Sequence, residues 1–163
     1  MNTFKNERNV IGMPSPIDDL KVTQVGFVCK DIETSKQEFA RFLGQPVPQT
    51  VPSGEFSATR TQYLGQDAPL AACLMAFFNL PNTQFELIQP NEAHSVWRDD
   101  LDSKGEGFHH VAYVVKGMAE HTRLMQEAGF ELVQKGEYGS GGGRYAYFKG
   151  GLLGMTVELL END

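Results

Sequence analysis

The chain states one pattern twice. In the first half VTQVGFVCKDIETSKQEFARFLG is followed later by FELIQP, and in the second FHHVAYVVKGMAEHTRLMQEAGF is followed by VELLEN. A duplicated unit of this size cannot cover both faces of its own sheet, so the two copies must join, helices outside and the remaining sheet faces curving around a shared interior. Superposing the copies puts Gln24 on His110 and Glu86 on Glu158.

Each copy reads as strand, helix and three further strands. Lys21 to Cys29 alternates with period two, with Val25 and Phe27 on one face and Gln24 on the other. Asp31 caps a helix whose apolar side carries Ile32, Phe39, Phe42 and Leu43, and Gly44 ends it. Extended runs follow a Pro-rich turn at Ala58 to Leu64, Leu74 to Leu80 and Gln84 to Gln89. In the second copy Phe108 to Val115 is a strand, and Met118, His121, Leu124, Met125 and Ala128 mark a helical face closed by Gly129. The runs Leu132 to Glu137, Arg144 to Lys149 and Met155 to Leu160 complete it. The expected organisation is an exposed N-terminal arm over residues 1–20 and one α+β domain over 21–160. Its modules, 21–90 and 108–160, are joined by a connecting helix within 91–107.

Period-two parity selects the side chains that face the interior. With Val111, Tyr113 and Val115 on the helix side, His110 points inward and His109 is sent outward. Four side chains with lone pairs therefore meet there: Gln24, Glu86, His110 and Glu158. Two carboxylates buried together repel each other and have both lost hydration, so a cation or a proton must compensate. A divalent ion does this, and an amide oxygen, an imidazole nitrogen and two carboxylates suit it. A structural polar network is the alternative.

The formal net charge is −7, which supplies no field for gathering nucleic acid or anionic lipid. No run approaches the ~18 apolar residues of a membrane span, and the opening twenty residues lack the apolar core of a secretory signal, so a cytoplasmic location is expected. Cys29 and Cys73 lie in apolar runs and read as buried free thiols.

The segments VGFVCKDIE, FELIQP, GEGFHHVAYVV, GSGGGRYAYF and VELLE together resemble the vicinal oxygen chelate superfamily over about Lys21 to Leu160. This group contains glyoxalase I, methylmalonyl-CoA epimerase, extradiol dioxygenases and bleomycin-resistance proteins. The resemblance implies two βαβββ modules forming curved sheets around one divalent metal, with Gln24, Glu86, His110 and Glu158 as ligands. Zinc is the first expectation, with nickel, cobalt or manganese as substitutes. Epimerases and bacterial glyoxalases usually have His where this chain has Gln24, and the set looks like the zinc-type glyoxalase I of animals. The implied activity is that of a lyase or isomerase working through an enediolate or enolate. Glu158 would be the first choice of base, with Glu86 on the other face. The substrate would be a thiohemiacetal, an acyl-CoA or another oxo compound, and the assembly a homodimer.

Epimerases of the family also use an acid before the third strand of the first module, where this chain offers only Asp67, out of register. Arg60, Tyr63, Arg144 and Tyr145 are the candidates for substrate binding. The loop Gly139 to Arg144 is neither a Walker loop nor a dinucleotide fingerprint, and reads as a hairpin connection from which Arg144 could reach a substrate anion. Trp97 and Phe108 read as core or subunit-contact aromatics, and Lys104 as a solvated charge. A non-catalytic binding module of the bleomycin-resistance type is the competing class. An extradiol dioxygenase would want a second inward His.

Overall fold

The computed structural model describes residues 15–163. β1 (Gln24–Val28) leads into α1 (Ile32–Leu43), which begins where Asp31 accepts a hydrogen bond from Thr34 N and ends where Gly44 turns left-handed at φ 64°. Then come β2 (Val51–Pro52), α2 (Phe56–Thr59), β3 (Gln62–Tyr63), β4 (Gln66–Asp67), β5 (Cys73–Asn79) and β6 (Gln84–Pro90). α3 (Val96–Lys104) connects to the second half, which runs β7 (Gly107–Val114), α4 (Met118–Glu127), β8 (Glu131–Glu137), β9 (Gly143–Lys149) and β10 (Thr156–Asn162). All ten strands form one sheet in the order β2-β5-β6-β1-β7-β10-β9-β8-β3-β4.

The duplication is visible in the register. β1 pairs parallel with β6 and β7 parallel with β10, while β1 and β7 meet antiparallel, with Val25 opposite Val111. This central pair marks a local two-fold relation that exchanges Gln24 with His110, Gly26 with Ala112, and Glu86 with Glu158. α1 covers Ala76, Phe78 and Leu87 with Ile32 and Ala40, and α4 covers Ala146, Phe148, Val157 and Leu159 with Met125. Between the halves Val28, Cys73, Ile88, Val133 and Tyr147 pack under Val96, Trp97 and Leu101 of α3. Both cysteines are buried and unpaired, as expected.

The structure departs from the sequence expectation in three places. Ala58 to Leu64 is not one strand: Arg60 and Leu64 take positive φ values of 45° and 49°, splitting the run into the end of α2 and the two-residue β3. The β3–β4 hairpin then leaves its own half and pairs with β8, Gln62 opposite Lys135. Phe42 is 83% exposed, because the buried stripe of α1 runs through Ile32, Lys36 and Ala40 at helical spacing and Phe42 lies off it. Of the arm expected over 1–20, residues 1–14 lie outside the described residues. Beyond them Ile17 is buried in the α4 cluster, and Pro16 O and Asp18 Oδ2 lie 2.8 and 3.1 Å from the His121 ring nitrogens. Among the described residues no helix is long and apolar enough to cross a membrane.

Candidate metal centre

The two central strands and their parallel partners aim four polar side chains at one point. His110 Nε2 lies 2.9 Å from Glu158 Oε2, 3.5 Å from Glu86 Oε2 and 3.2 Å from Gln24 Oε1. One ligand atom from each of Glu86, His110 and Glu158 falls within 4.8 Å of the others. All four residues are buried, His110 completely. Burial, and then the charge of Glu158, push the Glu86 carboxyl well above the usual carboxylate range.

The donor set fits a divalent cation, and the orientation of Gln24 says why. Its Nε2 donates to Gln84 Oε1 at 2.8 Å, and Gln84 Nε2 donates to Asn79 Oδ1 at 2.8 Å. That relay turns Gln24 Oε1 into the cluster, 3.2 Å from His110 Nε2 and facing the two carboxylates. Turning the amide over would let its nitrogen donate to Glu158 at 3.1 Å and Glu86 at 3.2 Å, but would set its oxygen 2.8 Å from Gln84 Oε1. A cation at the convergence satisfies every lone pair with the relay intact, and two ionised carboxylates balance its charge.

Gly26 makes room for the His110 ring. It sits opposite His110 across the β1–β7 seam, and a methyl group at this position would overlap the imidazole. The ring is held from another side by Tyr147, with centroids 5.2 Å apart.

His109 does not point outward. Pairing passes from Gly26–His110 to Phe27–Phe108, which leaves His109 as the extra residue of a β-bulge. A bulge interrupts strand alternation, so both imidazoles lie against Tyr147 and His109 Nδ1 approaches His110 Nδ1 at 2.9 Å. Burial lowers the His109 pKa.

The remaining candidates are dispersed. Tyr63 donates to Asp99 Oδ2 at 2.6 Å, and Arg60 is exposed at the C-cap of α2. Tyr145 OH is 3.3 Å from Thr61 Oγ1 and 3.5 Å from Gln134 Nε2, in the interior packed under Trp97. Trp97 is a core residue whose Nε1 donates to Tyr147 OH at 3.1 Å, whereas Phe108 is half exposed. Asp67 accepts from Gln62 Nε2 within the outer hairpin, so the fold places no acid from that segment in the cluster.

Arg144 is held by acids of its own chain: Glu161 and Asp163, each at 2.7 Å, and Glu137 at 3.4 Å. Glu161 also accepts from Met118 N at 3.3 Å at the start of α4, and its backbone bonds and Arg144 keep its pKa below the usual range. Arg144→Ala is accordingly expected to lower the urea unfolding midpoint slightly while leaving zinc affinity unchanged. An unaltered midpoint would show that the bridges contribute nothing.

The sequence signature of the Glyoxalase/Bleomycin resistance protein/Dioxygenase superfamily matches residues 23–148, and the chain belongs to that family. The uncharacterized protein YqjC of Bacillus subtilis is 29% identical over 89 residues, a match spanning 53% of this chain and 64% of that protein, less than two thirds of its length. Methylmalonyl-CoA epimerase from Mycobacterium tuberculosis has the same fold at a TM-score of 0.65 and 18% identity, over 93% of this chain and 94% of that one. The Streptomyces coelicolor epimerase bound to 2-nitronate-propionyl-CoA gives 0.58 and 17%, over 87% and 96%.

Proposed function

We propose that this protein is a divalent-metal-dependent enzyme, of lyase or isomerase type, that moves a proton at a carbon next to a carbonyl. The observation that carries this reading is the convergence of Gln24, Glu86, His110 and Glu158 on one buried point. Gln24, Glu86, His110 and Glu158 would hold the ion, with zinc favoured by the imidazole and the mixed ligand set. When bound, the ion supplies electrostatic stabilisation of the oxygen charge that grows as the carbon loses its proton.

The two carboxyl groups are suited to opposite halves of the proton transfer. Glu158, beside His110, is the first choice for the base that removes the proton, and Glu86 could serve the other face. Among the described residues no other acid lies in the cluster. The substrate class is an acyl-CoA or the hemithioacetal of an oxo-aldehyde, both carbonyl compounds with an acidified neighbouring carbon. The epimerases sharing the fold support the first.

The test is metal analysis of the purified protein, followed by deuterium exchange at C2 of methylmalonyl-CoA and conversion of the methylglyoxal–glutathione hemithioacetal. One divalent ion per chain with exchange or turnover of either compound is expected. A protein that takes up no metal and binds small molecules unchanged is instead a binding module.

A further inference from the structure

We propose that Asp100 and His109 are positioning residues that fix the direction of a hydrogen-bond chain ending at His110, so that His110 Nε2 presents a lone pair to the ion. The proposal rests on the metal reading above and adds to it two residues outside the ligand set. His109 Nε2 lies 3.1 Å from Asp100 Oδ2 and 3.4 Å from Val96 O. A carboxylate and a carbonyl can only accept, so His109 Nε2 carries the hydrogen. Neutral His109 then has its lone pair on Nδ1, which faces His110 Nδ1 at 2.9 Å. The hydrogen between the rings therefore belongs to His110 Nδ1, and His110 Nε2 is left bare, facing Glu86, Glu158 and Gln24.

The chain is anchored at its far end by charge. Asp100 is buried on α3, and its Oδ1 is 2.5 Å from Lys149 Nζ and 3.5 Å from Lys104 Nζ. Burial alone would raise the Asp100 pKa, but His109 and Lys149 hold it below the usual carboxylate range. Its Oδ2 is a buried oxygen with no well-aligned donor, and His109 Nε2 is the group set to supply one. The bulge in β7 serves this arrangement, since strict alternation would have put the two rings on opposite faces of the sheet.

Asp100→Asn reverses the chain. Lys149 can only donate, so the amide oxygen turns to it and the amide NH2 turns to His109 Nε2. The amide NH2 sits nearer than Val96 O, so His109 is expected to carry its hydrogen on Nδ1 and donate to His110 Nδ1, which moves the His110 hydrogen onto Nε2, where the ion would bind. Adding Lys149→Met removes the nearer ammonium and leaves only the exposed Lys104 at 3.5 Å, so the amide can turn back and is expected to restore the original direction.

The experiment combines nitrogen-15 NMR of histidine-labelled protein with zinc titration against a chromophoric chelator. In the wild-type protein His109 is expected as the Nε2–H tautomer. In D100N it is expected as Nδ1–H, with zinc affinity lowered about 10–100-fold, and D100N/K149M is expected to recover both. A wild-type His109 with its hydrogen on Nδ1 overturns the proposal, as does a D100N protein with unchanged tautomer and unchanged affinity. The wild-type tautomer needs no substitution, so a variant that fails to fold leaves the question decidable. Absence of zinc uptake by the wild type sinks the metal reading alone, because the His109 tautomer is read without metal.

Discussion

Glu158→Gln is expected to raise the stability of the metal-free protein while abolishing stoichiometric zinc uptake and turnover. The two carboxylates share one buried site, and burial together with Glu158 drives the Glu86 pKa upward. A neutral glutamine keeps an oxygen toward His110 and removes the repulsion, so the urea unfolding midpoint at neutral pH should rise. The sign of the pH dependence follows. Glu86 has a higher pKa folded than unfolded, so its contribution is fully present below the ordinary carboxylate pKa and is lost as pH rises through the folded value. Metal-free wild-type protein should therefore lose stability from mildly acidic to neutral pH, and E158Q should show a shallower slope. Zinc should restore the wild type at neutral pH and leave E158Q unmoved. A less stable metal-free E158Q would mean that the carboxylates do not repel, and the compensating cation would lose its rationale.

Gly26→Ala is expected to disable the site through a single methyl group. The added carbon would overlap the His110 imidazole, which Tyr147 holds from another side and which lies on the central seam of the sheet. Overpacking of this kind costs about 1–3 kcal/mol, and the displaced ring should lower zinc affinity by at least about 100-fold, beyond the usual loss of an outer-shell partner. Calorimetry and zinc titration of the same preparation check both. Native zinc affinity in G26A would show that His110 does not need the space above residue 26, and so is not held where the structure puts it.

Much of this architecture is legible in the chain because duplication and period two are strong signals. Val25 and Phe27 against Gln24, and Val111 and Tyr113 against His110, identify the inward set before any pairing is known. The same rule misplaces His109, since alternation counts residues and a bulge inserts one without marking it. Adjacent histidines beside Gly107 were the available hint. An isolated glycine within an apolar strand signals close approach of another group, yet only the register shows that the group at Gly26 is His110. Asp100 lies on a different element from the strand it supports, and the two-residue strands β3 and β4 are too short for alternation to register. Arg144 looks available in the sequence because its acids at Glu161 and Asp163 lie beyond an entire strand turn and become neighbours only through the β9–β10 pairing.

The seam between β1 and β7 has a thermodynamic consequence. Each half contributes one carboxylate and one neutral donor to the cluster, so on the proposed metal reading neither half alone would balance or enclose an ion, and the free energy of ion binding would act across that seam. Loading the proposed site would amount to a clamp on the duplicated halves. The amide hydrogen of Thr23, which bonds across the joint to Ala112 O at 2.9 Å, should exchange more slowly with zinc bound and faster once a chelator removes it.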